Sequence, residues 1–271
     1  MPAKESSGRH AFLVAAGILL RRLMGLLRQR VFNHYFGLSD AADAFASALR
    51  VPNFLQNLFG EGVLSASFIP VYARLLAEKE DAEADRVAGA IGAVLALGSA
   101  LVVVAGVIAT PWLMWAIAPG YHGAKREMVI LLARILFPGT GLLVCSAWCL
   151  GILNSHRKFF LSYTAPVVWN LAMIATLLLY RGRNLDDLAV KLAWGTVLGC
   201  ALQFAVQVPA VLRLVPALRL RLDTASPHAR EVIRNFGPVA LSRGVMQVSA
   251  YIDQMSGKSA ALGRDCRILH A

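Results

Sequence analysis

Residues 11–36 read AFLVAAGILLRRLMGLLRQRVFNHYF, which is long enough to cross a lipid bilayer as one helix. The stretch begins with apolar residues but also contains Arg21, Arg22, Arg28 and Arg30. A guanidinium keeps its proton in proteins, and one arginine at the bilayer centre costs roughly 2.5–3.5 kcal/mol on insertion scales. Several arginines on one helix are tolerable only where they face water, a partner or an anionic ligand. The stretch therefore predicts one wall of a membrane cavity that receives an anion.

The composition of the 271-residue chain is that of a membrane protein. Hydrophobic residues make up 57% and charged residues 16%, whereas about 25% of a typical soluble domain is charged. Segment 87–119 has no charged residue and exceeds the ~20 residues needed to span a bilayer. The other expected crossings are 11–36, the more polar 41–59, 128–153, 159–180, 188–212 and 232–255. The sequence thus predicts an all-α, polytopic membrane helix bundle with about seven transmembrane helices.

The pattern divides the chain into three parts. Residues 1–10 form a polar N-terminus, 11–255 form the transmembrane bundle, and 256–271 form a polar, basic tail. A basic tail after the seventh crossing breaks the preceding pattern, and the cavity helices of a bundle that stops there would face nothing. We therefore expect a truncated form whose tail is read in a changed frame.

Lysine and arginine are distributed unevenly between the two sides of the expected bundle. The connections on the side of the N-terminus hold eleven of them, whereas the connections on the other side hold four. By the positive-inside rule this predicts a cytoplasmic N-terminus in a multi-pass protein of the bacterial cytoplasmic membrane. The net charge of +11 therefore follows in large part from topology, and no nucleic-acid partner is expected.

Residue patterns typical of enzymes are missing from the sequence. No Ser-His-Asp set, paired carboxylates, Walker motif or Rossmann motif occurs in a suitable context. Cys145, Cys149 and Cys200 lie in apolar segments without histidines at metal-binding spacing, so they read as small buried hydrophobic residues. We expect no enzymatic activity, no cofactor and no metal.

Polar residues recur at helical spacing in three of the expected crossings. Arg21 and Arg28 are seven residues apart and share a helix face, as do Asp43 and Arg50. In the seventh crossing, Arg243 and Gln247 are four residues apart. Arginine suits phosphate because its planar fork matches two oxygens, and a nearby acid can hold arginines in place when the site is empty. The residues expected to bind substrate are Arg22, Arg28, Asp43, Arg50, Asn53, Glu61 and Arg243.

Structural explanations remain open for several of these positions. The arginines can snorkel, with their charged ends in the interface and their stems in the apolar layer. Asp43 can serve as a favourable charge at a helix N-terminus, and Glu61 can cap a helix beside Gly60 and Gly62. Two adjacent segments that each carry a polar stripe form a more specific signal than either segment alone.

Several motifs resemble the lipid II flippases of the MurJ/MviN family. These are RLMGLLR at 22–28, FG at 36–37, DAF at 43–45, VPNFLQNLFGEG at 51–62, SFIP at 67–70, APGY at 118–121 and ILNS at 152–155. The resemblance covers roughly residues 11–255, and its most specific part lies in the first two crossings. The chain departs from the family pattern at Gln29, where an acid is common, and at Gln56 and Asn57, where a basic pair is common.

The resemblance implies the N-terminal lobe of a two-lobed, fourteen-helix protein in the superfamily of multidrug, oligosaccharidyl-lipid and polysaccharide exporters. The implied activity is transport of lipid II across the cytoplasmic membrane by alternating access, for peptidoglycan synthesis and cell-wall biogenesis. The family uses positions matching Arg22, Arg28, Asp43 and Glu61 in or beside its central cavity. The expected partners are lipid II, an undecaprenyl-pyrophosphate-linked glycopeptide, and membrane lipids, with a missing C-terminal lobe or an intact homologue considered as a protein partner.

Two other functions fit the sequence less well. One is export of another polyprenyl-linked glycan or of a drug, although an exporter of cations would rely on intramembrane acids rather than arginines. The other is a nonfunctional or purely structural membrane fragment, which the polar tail 256–271 favours.

Overall fold

The computed structural model describes residues 3–117, 120–223 and 226–268. Within these ranges the chain consists of helices and their connections, which confirms the predicted all-α class. The helices are α1 (Ala3–Phe36), α2 (Asp40–Ala48), α3 (Arg50–Phe59), α4 (Glu61–Ala77), α5 (Asp81–Ile117), α6 (Gly123–Ser155), α7 (Phe159–Leu179), α8 (Leu185–Leu214) and α9 (Pro227–Ile268). Side chains in the predicted tail 256–271 lie outside the described residues, and the backbone of α9 is helical to Ile268.

Contacts between connections show that successive passages run in opposite directions. At one end of the bundle, Lys125 in the first turn of α6 pairs with Asp40 at the start of α2, with 2.7 Å between Nζ and Oδ1. At the other end, Tyr72 near the end of α4 contacts His156 after α6, with 3.0 Å between Oη and Nε2. The path from α2 to α4 therefore crosses the bundle once, so the described helices make seven passages, as predicted.

The second passage is longer than the predicted segment 41–59, because the chain continues as α4 after a break at Gly60. The backbone there (φ −93°, ψ −144°) leaves the helical region, and a β-carbon at Gly60 would collide with the carbonyl oxygen of Gln56. Glycine permits this close approach of the backbone to itself. Helix α4 was not predicted from the sequence, because Pro70 and the small residues before it obscure its helical pattern.

Two apolar clusters hold the two ends of the bundle together. Near the α1–α2 connection, Phe45 and Phe137 are fully buried among side chains of α1, α2, α5, α6, α7 and α8. Near the opposite end, Phe68, Tyr72 and Ile152 are buried among α4, α5, α6, α8 and α9. Helix α6 contributes to both clusters and contacts α2, α3, α4, α5 and α8. It is the central helix of the bundle.

The outer surface is apolar over long stretches of α5 and α8. On α5, Leu101, Ile108 and Trp112 are each more than 60% exposed, and Trp194 and Leu198 on α8 are 58% exposed. Soluble monomers rarely expose contiguous apolar patches of this kind, whereas a lipid environment favours them. Within the described ranges, α5, α6, α7 and α8 are long and apolar enough to span a membrane by themselves. The chain is an integral membrane protein of the helical class.

Candidate substrate-binding site

Arg28 on α1 lies in an apolar and aromatic environment provided by α7. Its Cζ is 5.3 Å from the centre of the Trp169 ring, and its Nη1 is 3.9 Å from Sδ of Met173. The Nε atom is buried without a hydrogen-bond partner. Within the described part of the chain, no carboxylate pairs with this guanidinium. An unpaired arginine in half-buried, apolar surroundings is costly, so an anionic ligand would stabilise it.

A polar cavity of about 110 Å³ lies where five helices meet, and its lining includes Trp169, the ring that Arg28 contacts. Arg21 from α1 and Gln56 from α3 line it together with Ser146 from α6, Asn170 from α7 and Gln203 from α8. Helix α1 packs closely on α7 here, and a β-carbon at Gly17 would lie 2.7 Å from Cβ of Tyr163. The cavity therefore combines one cation with hydroxyl and amide groups, which suits the phosphate and sugar groups of a polar ligand.

Behind this cavity, three side chains form a buried hydrogen-bonded network between α6 and α8. Nε2 of Gln203 donates to Oγ of Ser146 at 2.9 Å, and Ser146 donates to Oε1 of Gln207 at 2.9 Å. Gln207 is fully buried, and its Nε2 has no partner. Buried polar groups within a membrane protein commonly mark a functional site or a substrate path.

This network and the cavity were not predicted from the sequence. The available signal was the spacing of Gln203 and Gln207, which are four residues apart in an otherwise apolar segment and so share a helix face. Nothing in the sequence indicates that Ser146 lies opposite them.

Asp43 and Arg50, which share the predicted polar stripe, lie in the first turns of the short helices α2 and α3. Asp43 is exposed, and its Oδ2 is 3.1 Å from Nζ of Lys125 on α6. We expected an acid that holds the cavity arginines, but the described ion pair of Asp43 is with this lysine. Arg50 is half-buried and takes part in interactions of its own.

Arg243 on α9 lies beside the start of α4. Its guanidinium packs over Gly62, because a β-carbon built there would lie 3.0 Å from Cζ of Arg243. Gly62 thus leaves room for this side chain beside the Glu-Gly motif. The side chain of Glu61 lies outside the described residues. Arg22 on α1 and Asn53 on α3 are exposed, and both stay predicted binding residues.

Comparison with known proteins identifies the family of this chain. The family model described as "Lipid II flippase MurJ" matches residues 32–262. The chain belongs to the MurJ family. A curated relative from Burkholderia cenocepacia, named lipid II flippase MurJ, is 31% identical over 250 residues, which covers 90% of this chain and 48% of the relative. The predicted family resemblance is therefore confirmed.

Solved structures show the same fold. A structure described as lipid II flippase MurJ in an inward closed conformation matches with a TM-score of 0.69 and 24% identity, over 89% of this chain and 50% of that one. An outward-facing multidrug transporter of the MATE family, in the MOP superfamily, matches with a TM-score of 0.70 and 20% identity, over 93% and 55% of the two chains. The chain spans about half the length of the MurJ relative from B. cenocepacia and of both solved structures.

The fold of this MurJ-family chain therefore matches about half of each of these solved structures. MurJ relatives are named as flippases rather than as catalytic enzymes. Arg28, Arg21 and Arg243 lie on α1 and α9, the first and last passages of the described bundle.

Proposed function

We propose that this chain supplies the N-terminal half of a flippase that moves lipid II across the bacterial inner membrane. The observation that supports this most strongly is the environment of Arg28, which is partly buried, has no described acid partner and keeps a free Nε–H. A pyrophosphate would provide the negative charge and the acceptor oxygens that this guanidinium lacks. A cationic drug would meet repulsion at the same place.

The binding residues that we propose are those expected from the sequence. Arg22, Arg28 and Arg243 would bind the pyrophosphate, with Arg50 and Asn53 contacting the polar headgroup. Glu61 would balance the arginines when the substrate is absent, and Asp43 would do so only by exchanging its ion pair with Lys125. The undecaprenyl chain would remain in the surrounding lipid, because the apolar interior of the bilayer already accommodates it.

Transport would occur by alternating access between two lobes. In transporters of this kind the lobes rock against each other around a site near the bilayer midplane. The present chain corresponds to one lobe, so a complete cavity requires a second lobe or a second chain. The uneven distribution of lysine and arginine supports a cytoplasmic N-terminus, with the α1–α2 and α5–α6 connections outside.

Complementation tests this proposal directly. A strain depleted of its own lipid II flippase would receive either this chain or this chain fused to the C-terminal half of a MurJ relative. We expect growth with the fused protein. Rescue by the chain alone would show that it completes its cavity with another copy. Failure of both, with normal membrane insertion, would contradict the proposed substrate.

A further inference from the structure

A second cavity lies at the end of the bundle where α7 begins. It has a volume of about 500 Å³ and lies between the start of α7 and the last turns of α8. Arg157, Lys158 and Arg213 supply its charged rim, and Phe160 and Leu214 supply part of its apolar wall. It shares no lining residue with the polar cavity of about 110 Å³. The charged rim and the apolar wall together match an amphiphilic ligand that carries negative charge.

The three basic side chains of this cavity have no acid partner within the described ranges. Other arginines at the same end of the bundle are paired. Arg74 contacts Glu231 at 2.8 Å, and Arg86 contacts Asp223 at 2.6 Å. Acidic residues thus occur at this end of the bundle, but their described ion pairs are with other residues and not with the rim of the cavity.

The cavity lies at the level of a membrane surface. Arg157 and Lys158 join α6 to α7, and Arg213 is in the last turn of α8, so the charges stand at the ends of three membrane-capable helices. Phe160 is 52% exposed one residue into α7, where an aromatic ring would contact lipid. Headgroup phosphates occupy this level in a bilayer, and acyl chains begin just below it.

Arg157 occupies a backbone conformation that favours glycine. Its φ is +59°, in the left-handed region, and its N–H donates to the carbonyl oxygen of Asn154 at 3.0 Å as α6 ends. A residue with a β-carbon is strained there by about 1 kcal/mol or more relative to glycine. The arginine at this position destabilises the backbone, but it adds a cation to the rim.

We propose that this cavity binds an anionic phospholipid of the adjoining leaflet, with its phosphate between Arg157, Lys158 and Arg213 and an acyl chain along Phe160 and Leu214. On the topology proposed above, this is the cytoplasmic leaflet. The site is separate from the lipid II site, so the two proposals can fail independently.

The test uses the purified full chain in detergent and counts lipid adducts by native mass spectrometry. The probes are phosphatidylglycerol and phosphatidylcholine of matched acyl chains. The first variant is Arg157→Gly, Lys158→Gln and Arg213→Gln, in which glycine also relieves the backbone strain at 157. We expect the wild-type chain to prefer phosphatidylglycerol and this variant to bind it at least about tenfold more weakly, with unchanged helix content.

The matched control is Lys79→Gly, Arg219→Gln and Arg221→Gln. It removes the same charge from the same end of the bundle, and Lys79 has a similar left-handed backbone with φ +61°. We expect phosphatidylglycerol binding within about twofold of wild type. Equal losses of phosphatidylglycerol binding in the two variants would show that the lipid is attracted by the basic surface in general, and would overturn the proposal. Undecaprenyl pyrophosphate that displaces phosphatidylglycerol at equal or lower concentration would also overturn it, in favour of the transported lipid as the occupant.

Discussion

The guanidinium of Arg28 lies over the indole ring of Trp169, with 5.3 Å between Cζ and the ring centroid, and this contact joins α1 to α7. The ring covers one face of the cation, and Nε is left without a partner. Cation–π contact stabilises an arginine without neutralising its charge, so the group remains able to bind an anion.

We expect Arg28→Ala to weaken lipid II binding by about 10- to 100-fold, because a charge-assisted hydrogen bond contributes roughly 1.5–3 kcal/mol. The affinity of Arg28→Lys should lie between those of the wild type and Arg28→Ala, since an ammonium keeps the charge but loses the planar fork. Affinity is measured with the chain fused to a MurJ C-terminal half. Arg134→Ala, which changes an exposed arginine on α6, is the matched control and should bind normally. Wild-type affinity in Arg28→Ala would contradict the proposed site.

Trp169→Leu should reduce lipid II affinity by about 2- to 30-fold, because loss of a cation–π contact removes roughly 0.5–2 kcal/mol and frees the guanidinium to move. Trp194→Leu is the control, since Trp194 is 58% exposed on the outer face of α8. The measurement is the same binding assay, with thermal unfolding in detergent to check the fold. Equal effects of the two substitutions would indicate a general requirement for tryptophan rather than a role for this contact.

Gly195→Ala should destabilise the packing of α8 on α7. A β-carbon at Gly195 would overlap the side chain of Thr176, which is held in place by a 2.8 Å hydrogen bond from Oγ1 to the carbonyl oxygen of Ala172. Overpacking of this kind typically costs about 1–3 kcal/mol.

The matched control for this substitution is Gly98→Ala on α5, where nothing lies within 4 Å of the added carbon. It should be neutral or stabilising by up to about 1 kcal/mol, since alanine favours a helix more than glycine does. Thermal unfolding in detergent distinguishes the two. A melting temperature for Gly195→Ala at or above that of Gly98→Ala would contradict the packing seen here.

His156 should make the stability of the chain sensitive to acid. Its partial burial lowers the pKa of the imidazole from the ordinary value of 6.5, although Asp85 and Asp81 nearby favour the charged form. The folded state therefore prefers a neutral ring, whose Nε2 can accept a hydrogen bond from the Tyr72 hydroxyl. Because the folded pKa is the lower one, this contribution is complete above pH 6.5 and is lost as the pH falls through the folded pKa.

We expect the unfolding temperature to fall between pH 7 and pH 5 in the wild type and to fall less in His156→Gln. His122→Gln, at the opposite end of the bundle, should keep the wild-type dependence. The same acid sensitivity in His156→Gln and in the wild type would show that another group is responsible.

Local properties of the sequence account for the helical class, for the seven passages and for the arginines of α1. Hydrophobic length sets the number of crossings, and residues seven apart share a helix face whatever surrounds them. The segment 41–59 was the least accurate of these predictions, because α4 continues beyond Gly60 through Pro70. A helix that is broken and then buried against a partner leaves a weak local pattern.

Only the tertiary structure shows which side chains the polar residues pair with. Asp43 pairs with Lys125, 82 residues away, and Gln203 donates to Ser146, 57 residues away. Isolated polar residues in apolar segments barely change hydropathy, so nothing in the sequence showed that Ser146 lies opposite Gln203.

The sequence by itself thus determined that the chain is a membrane helix bundle with cationic crossings, because hydropathy and helical periodicity are local quantities. Only the tertiary structure decided that Arg28 stacks on Trp169 and stays without a described acid partner, because helix packing brings together α1 and α7 from distant parts of the chain.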